Sequence, residues 1–209
     1  MMETRWLTGL ELNKAADILQ RGGVAAVPTE TVYGLAANGL DETAVLKIFE
    51  AKGRPENKPI SLFVTDIQAA ESFCRDIPDA AYKLAERFWP GPLTMILKRR
   101  ENVPDAITAG GDTVGIRVPD HALTLALLEK TGLPLTGTSA NLSGEESAMS
   151  GEEALQIFDG KIDGVVDGGA CTGGVPSTIV DMTCEPPRIL RQGGITREAL
   201  EKASGVVIQ

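Results

Sequence analysis

The segment Lys52-Gly53-Arg54-Pro55-Glu56-Asn57-Lys58-Pro59 places three cations within seven positions of a loop stiffened by two prolines. Arginine offers phosphate oxygens a planar fork and lysine a compact point charge, so the group has the chemistry of a polyphosphate clamp. Its spacing is not that of a Walker loop. A solvated basic loop has the same composition and stands as the plain alternative. A second group, Thr136-Gly137-Thr138-Ser139-Ala140-Asn141-Leu142-Ser143-Gly144, sits at the C-terminal end of an apolar strand, where ligands bind in α/β sheets. Hydroxyls, an amide and glycine N–H groups converge there; a Ser/Asn turn closed by its own capping bonds is the alternative. In Gly115-Ile116-Arg117-Val118-Pro119 an arginine lies between apolar strand neighbours and needs an anionic partner, either a ligand carboxylate or an internal salt bridge. Arg191, between Ile189-Leu190 and Gly193-Gly194, poses the same question. Pro176-Ser177-Thr178 brings a hydroxyl pair to the start of an apolar run, or is simply where a strand begins.

Other chemistry is poorly served. The single histidine, His121, excludes multi-histidine metal sites and, beside Asp120, reads as a helix start rather than a proton relay. Cys74, Cys171 and Cys184 form no C-x-x-C pair and read as reduced thiols. Asp167 and Asp181 have no metal-ligand spacing and read as structural. Trp6 and Trp89, with aromatics at 4%, supply core rather than a base-stacking platform, and a net charge of −9 repels a nucleic-acid backbone unless the basic residues cluster.

These groups need elements to carry them. Apolar periodicity and stop signals predict helices over 10–21, 41–53, 66–74, 79–88, 122–130, 151–158 and 196–203. Strands are predicted over 24–27, 32–36, 60–64, 93–97, 114–118, 133–138, 164–167, 177–182 and 188–191. The irregular alternation predicts an α/β (α+β) fold, a twisted mixed sheet, part antiparallel and part parallel, wrapped by helices. With 209 residues, 43% hydrophobic and 23% charged, the chain is expected to fold as one domain over 1–209. No run approaches the ~20 apolar residues of a membrane span, and Met1 to Leu10 lacks the apolar stretch of a signal peptide, so a soluble, cytoplasmic protein is expected, with no membrane partner.

Six motifs then recur in one order: Pro28-Thr29-Glu30-Thr31-Val32-Tyr33-Gly34-Leu35, Lys52-Gly53-Arg54-Pro55, Trp89-Pro90-Gly91-Pro92-Leu93-Thr94, Gly115 to Pro119, Ser139-Ala140-Asn141 and Pro176-Ser177-Thr178. Together they resemble the YrdC-like family of threonylcarbamoyl-AMP synthases, over about residues 10 to 195. The resemblance implies a YrdC/RibB-like sheet with a concave basic cavity. It implies formation of threonylcarbamoyl-AMP and pyrophosphate from L-threonine, bicarbonate or CO2, and ATP, for the threonylcarbamoyladenosine of tRNA. Carried over by residue, Lys52, Arg54, Ser139 and Asn141 belong to the catalytic nucleotide site, with Lys58, Thr113, Ser147 and Arg191 added by alignment. Arg117 corresponds to the threonine-carboxylate partner, and Thr31, Gly137 and Ser177 surround the amino acid. ATP arrives with Mg2+ on its phosphates; no metal held by the protein and no tightly bound cofactor are implied. tRNA or downstream threonylcarbamoyl-transferring proteins are the implied macromolecular partners. Two departures from the family pattern stand out. The chain ends soon after Ile189 to Gly194, so the C-terminal domain and lid-like linker of the longer branch are not expected, and Phe63 stands where some members carry histidine near threonine. An RNA-binding or ribosome-associated module, and a carbamoyl-adenylate enzyme with another acceptor, are the competing readings.

Overall fold

The structure is a computed structural model and describes residues 3–209; Met1 and Met2, part of the 1–209 domain and of the leaderless N-terminus expected above, lie outside the described residues. The strands are β1 Arg5–Leu7, β2 Ala25–Val27, β3 Gly34–Ala36, β4 Ser61–Phe63, β5 Cys74–Arg75, β6 Leu93–Arg99, β7 Thr113–Arg117, β8 Leu135–Ser139, β9 Gly164–Val166, β10 Thr178–Asp181 and β11 Arg188–Arg191. The helices are α1 Leu12–Gln20, α2 Glu42–Lys52, α3 Ile67–Glu71, α4 Asp79–Phe88, α5 Asp105–Thr108, α6 Ala122–Thr131, α7 Gly151–Phe158 and α8 Arg197–Ser204. They form one mixed sheet of order β1-β9-β2-β3-β8-β4-β7-β6-β10-β11, with β5 added to β6. β1–β9, β2–β9, β4–β7 and β6–β10 pair in parallel and the others antiparallel, which is the mixed sheet the sequence predicts. Among the described residues no helix is long and apolar enough to cross a membrane.

Three short elements have no counterpart in the sequence reading: β1, β5 and α5. Each is held by its surroundings rather than by its own pattern. β1 runs parallel to β9, and the two residues of β5 lie against the end of β6. Strands this short show too few alternations to register as a period.

The two halves of the sheet are covered differently. In β2 and β3 both faces are apolar. Ala26 and Leu35 pack with Ile48 of α2 and Phe158 of α7, whereas Ala25, Val27 and Ala36 pack with Leu19 of α1 and Leu127 of α6. In the other half only one face is apolar: Leu93, Met95 and Leu97 of β6, Val114 and Ile116 of β7 and Val180 of β10 pack with Leu84 of α4 and Leu200 of α8. Because side chains alternate along a strand, Thr94, Gly115, Arg117 and Ile179 fall on the opposite face. That face carries the cleft.

α2 leads directly into the basic loop, and its ends are well defined. Asp41 accepts hydrogen bonds from the N–H groups of Thr43 and Ala44 (3.0 and 3.3 Å), and Gly53 closes the helix in the left-handed region at φ 58°. Asp41→Ala is therefore expected to lower stability by about 1 kcal/mol, seen as a lower denaturation midpoint at unchanged slope.

Candidate active site

The uncovered face forms a cleft of about 220 Å³ that opens to solvent. Three arginines line it, Arg54, Arg117 and Arg191, and among the described residues no Asp or Glu does. Hydroxyls of Thr29, Thr31, Thr94, Ser139, Ser147 and Ser177 fill much of the wall between them.

At the nucleotide end expected from the sequence, α2 brings Lys52 in as its last residue, where a cation suits the helix dipole. Lys52 is 2% exposed. Its ammonium donates to the carbonyl oxygen of Ser139, to that of Asn141 at 2.8 Å and to Asn141 Oδ1 at 3.0 Å. The Asn141 amide is consumed in turn: Oδ1 also accepts from Ser139 Oγ (2.5 Å), and Nδ2 donates to the carbonyls of Leu142 and Glu145 (2.8 and 2.9 Å). Ser143 N–H bonds back to the Lys52 carbonyl at 2.9 Å. The Ser-x-Asn turn is thus both the capped loop of the plain reading and one wall of the cleft. Lys52 and Asn141 stand behind that wall rather than in it, and Ser139 lines it.

Burial, with the nearby Arg54 charge acting in the same direction, pushes the Lys52 ammonium down to about 7. Three oxygens taking its three protons favour the charged form in opposition. Arg54 donates from Nη2 to the Pro59 carbonyl at 3.0 Å, while its buried Nε has no hydrogen-bond partner. Burial lowers its pKa too. Arg191 donates from Nε and Nη2 to the Ser177 carbonyl (3.1 and 2.9 Å) and from Nη2 to Ser177 Oγ (3.0 Å); burial first, then the charge of Arg117, lowers its pKa. Neither guanidinium has a carboxylate partner among the described residues.

Arg117, at the end of β7, does have one. Its Nη2 donates to Glu30 Oε1 at 2.6 Å and to Thr31 Oγ1 at 3.1 Å, and its Nε to the Gly91 carbonyl at 3.2 Å. The internal salt bridge weighed from the sequence is therefore present, and it leaves Nη1 as the nitrogen of the fork without a hydrogen-bond partner among the described residues. The guanidinium carbon lies 5.7 Å from the centroid of the Phe63 ring, a cation–π contact. The same ring explains Gly137: a Cβ there would lie 2.5 Å from Phe63 Cε1. Phe63 is core and wall at once, 3% exposed.

Of the residues predicted from the sequence, Arg54, Ser139, Ser147, Arg191, Thr31, Arg117, Gly137 and Ser177 line one cleft. Lys58 and Thr113 do not: Lys58 is exposed in its loop, and Thr113 begins β7, paired with Lys98 at the end away from Arg117. The sequence reading missed Glu30, Thr29 and Thr94. Thr29 Oγ1 lies 2.9 Å from Thr31 Oγ1, and Thr94 Oγ1 lies 2.9 Å from Ser177 Oγ. All three sit inside quoted motifs, and Thr94 is the polar residue alternating with Leu93 and Met95. His121 caps α6, its Nδ1 accepting from Leu123 N–H at 3.3 Å, and Asp167 and Asp181 accept local N–H bonds from Gly169 and Thr183. Trp89 donates from Nε1 to the Leu93 carbonyl (2.7 Å), and Trp6 packs on Gly151. All three cysteines are free, and no metal-binding cluster of His, Cys, Asp and Glu occurs among the described residues.

Removing the buried ammonium takes a donor from three oxygens, leaves the Asn141 carbonyl with none among the described residues, and empties the space of its stem, so Lys52→Met is expected to lose roughly 2–4 kcal/mol at pH 7 in chemical denaturation. The folded-state pKa lies below the unfolded one. Between about 7 and the ordinary lysine value the unfolded chain therefore holds the extra proton, and stability rises with pH; below about 7 both states are protonated and the burial cost is complete. Wild type should accordingly gain on Lys52→Met as pH rises from about 7 to about 9, a trend that a wholly charged Lys52 would not show.

Known proteins resemble this chain over most of its length. The model of the Sua5, YciO and YrdC proteins, described as telomere recombination, matches residues 17–193. The threonylcarbamoyl-AMP synthase of Pyrococcus abyssi is 46% identical over 193 residues, covering 92% of this chain and 57% of that one. The Bacillus subtilis protein of the same name is 45% identical over 201 residues, covering 94% and 57%. The chain thus spans a little over half the length of these curated relatives. A crystal structure of Pyrococcus abyssi Sua5 complexed with L-threonine superimposes with a TM-score of 0.93 at 43% identity, over 99% of this chain and 62% of that one. Escherichia coli YciO gives 0.81 at 28% identity, over 92% and 96%. A shared fold and a family model that matches residues 17–193 make this chain a member of the Sua5/YciO/YrdC family.

Proposed function

We propose that this chain is an L-threonylcarbamoyladenylate synthase. It joins L-threonine, bicarbonate or CO2, and ATP into threonylcarbamoyl-AMP, releasing pyrophosphate, as a step toward threonylcarbamoyladenosine in tRNA. The observation that carries the reading is the pair of guanidiniums, Arg54 and Arg191, held in one cleft without carboxylate partners, with Arg117 between hydroxyl-rich walls. Unneutralised arginines suit a polyphosphate; a single arginine nitrogen flanked by hydroxyls suits a small hydroxylated amino acid. Relatives named for this activity, and a neighbour crystallised with L-threonine, support the same assignment.

The chemistry asks for placement rather than for a protein nucleophile. The ammonium of threonine first gives up a proton to solvent; the free amine then captures CO2, losing a second proton to solvent as the carbamate forms, and a carbamate oxygen attacks the α-phosphorus in line while pyrophosphate departs. With bicarbonate as the carbon source, water is the additional product. Arg54, Arg191 and the hydroxyl of Ser139 would hold the phosphates, with Ser147 beside them. Arg117, Thr31, Gly137 through its backbone and Ser177 would hold the amino acid. Rate enhancement then comes from bringing two anions together and offsetting the charge that develops on the phosphates. In this reading magnesium arrives on the nucleotide as part of the substrate. Lys52 and Asn141 act by shaping the wall. Lys58 and Thr113 would join the site only through movement of the nucleotide or of the loop. In this reading 1–209 works as one cytoplasmic domain, and tRNA or a threonylcarbamoyl-transferring protein takes the product onward.

Mass spectrometry of the protein with threonine, bicarbonate, ATP and Mg2+ is expected to show the carbamoyl-adenylate, with pyrophosphate released in equal amount. Arg54→Ala should lower its formation by about 100-fold or more while the protein stays folded. Absence of the adenylate, or full activity in that variant, would refute the assignment.

A further inference from the structure

Threonine carries an ammonium as well as a carboxylate, yet the cleft lining offers three cations and no anion. Among the described residues one carboxylate reaches a cleft arginine, that of Glu30. Both its oxygens are engaged: Oε1 accepts from Arg117 Nη2 at 2.6 Å, and Oε2 accepts from the Asp120 N–H at 3.0 Å. A carboxylate oxygen accepts two bonds, so each keeps a free lone pair. The side chain is 19% exposed, against 8% for Arg117, so it is reached from solvent at the edge of the pair.

Arg117 is the complementary half. Nε is committed to Gly91 and Nη2 to Glu30 and Thr31, whereas Nη1 donates to no group among the described residues. The amine and carboxylate of an α-amino acid are separated by a span similar to that between neighbouring guanidinium nitrogens. A carboxylate on Nη1 can therefore set its own ammonium beside Glu30 Oε1. We propose that Glu30 is the ammonium acceptor of the amino-acid subsite, so that the zwitterion lies head to tail against the Arg117–Glu30 ion pair. This rests on the reading of the cleft as a threonine site and adds to it a specificity-determining residue.

The arrangement matches every charge with an opposite one and buries none alone. It also contains a repulsive element. An acid of the same shape lacking the amine places a second carboxylate next to Glu30 with nothing between them. Glu30 thereby selects amino acids over hydroxy acids, a distinction that arginines and hydroxyls alone do not make.

Calorimetry with threonine and with 2,3-dihydroxybutyrate, in which a hydroxyl replaces the amine, tests this. The wild type should bind threonine about tenfold or more tightly than the hydroxy acid. In Glu30→Gln the two affinities should converge, threonine weakening about tenfold or more while the hydroxy acid holds or improves. An ATP titration of the same variant checks that the phosphate end is intact. Equal loss of both ligands would make Glu30 a brace for Arg117 only, and unchanged affinities would remove it from the subsite; either overturns the inference. If the variant does not fold, the wild type decides, because equal affinity for the two acids is equally fatal. A wild type that binds ATP but neither acid would overturn the amino-acid reading itself, a different failure from loss of the Glu30 contrast alone.

Discussion

Two guanidinium groups, those of Arg54 and Arg191, are held at the cleft with only carbonyl and hydroxyl oxygens as protein partners among the described residues, and the buried Nε of Arg54 has none. A guanidinium cannot shed its proton to escape burial, so this charge persists whatever the surroundings. The energetic cost is recovered when an anion arrives. The molecule as a whole is acidic, at a net −9, so the positive potential is local rather than spread over the surface. That favours a compact, highly charged ligand over a long polyanion, whose flanks would meet the acidic surface.

The sheet decides where such charge can be tolerated. In β2 and β3, helices cover both faces and every residue is buried, so an arginine there would have no route to solvent. In β6, β7 and β10 one face is packed against α4 and α8 and the other is open. The site occupies that open face, and Phe63, Gly137 and Gly115 set its depth. Phe63 fills the space that a Cβ on Gly137 would need, and Ser61 Oγ lies 2.6 Å from where a Cβ on Gly115 would stand. Glycine at both positions is a packing requirement of a polar groove laid directly on strands.

Much of this architecture is legible in the sequence because it rests on local rules. α4, α7 and β11 match the predicted residues, and α2 begins and ends where Asp41 and Gly53 require. The basic loop, the Ser-x-Asn turn and the two strand arginines were recognisable as candidates from residue type alone. What the sequence could not supply was orientation. Nothing in the spacing tells that the Lys52 ammonium turns inward to three oxygens while Arg54, two residues on, lines the cleft, nor that Lys58 stays in solvent. Glu30 escaped notice for a related reason. Its partner is 87 residues away in the chain, and only the three-dimensional register of β7 against the 28–33 turn brings them together.

Lys52 braces one wall of the cleft from behind. A buried ammonium bonded to two carbonyls and an amide oxygen ties the end of α2 to the turn after β8, two elements that share no ladder hydrogen bonds. The return bond from Ser143 N–H to the Lys52 carbonyl closes the loop. Arginine could not replace it, since a planar fork does not converge three donors on oxygens around one point. An apolar side chain would leave the Asn141 carbonyl without a donor among the described residues and cut the tie between the two elements. The helix stop at Gly53 then aims the next cation, Arg54, toward the wall that Lys52 has fixed. Charge in the cleft and charge beneath it therefore do separate jobs, one attracting the ligand and the other holding the geometry that makes the attraction specific.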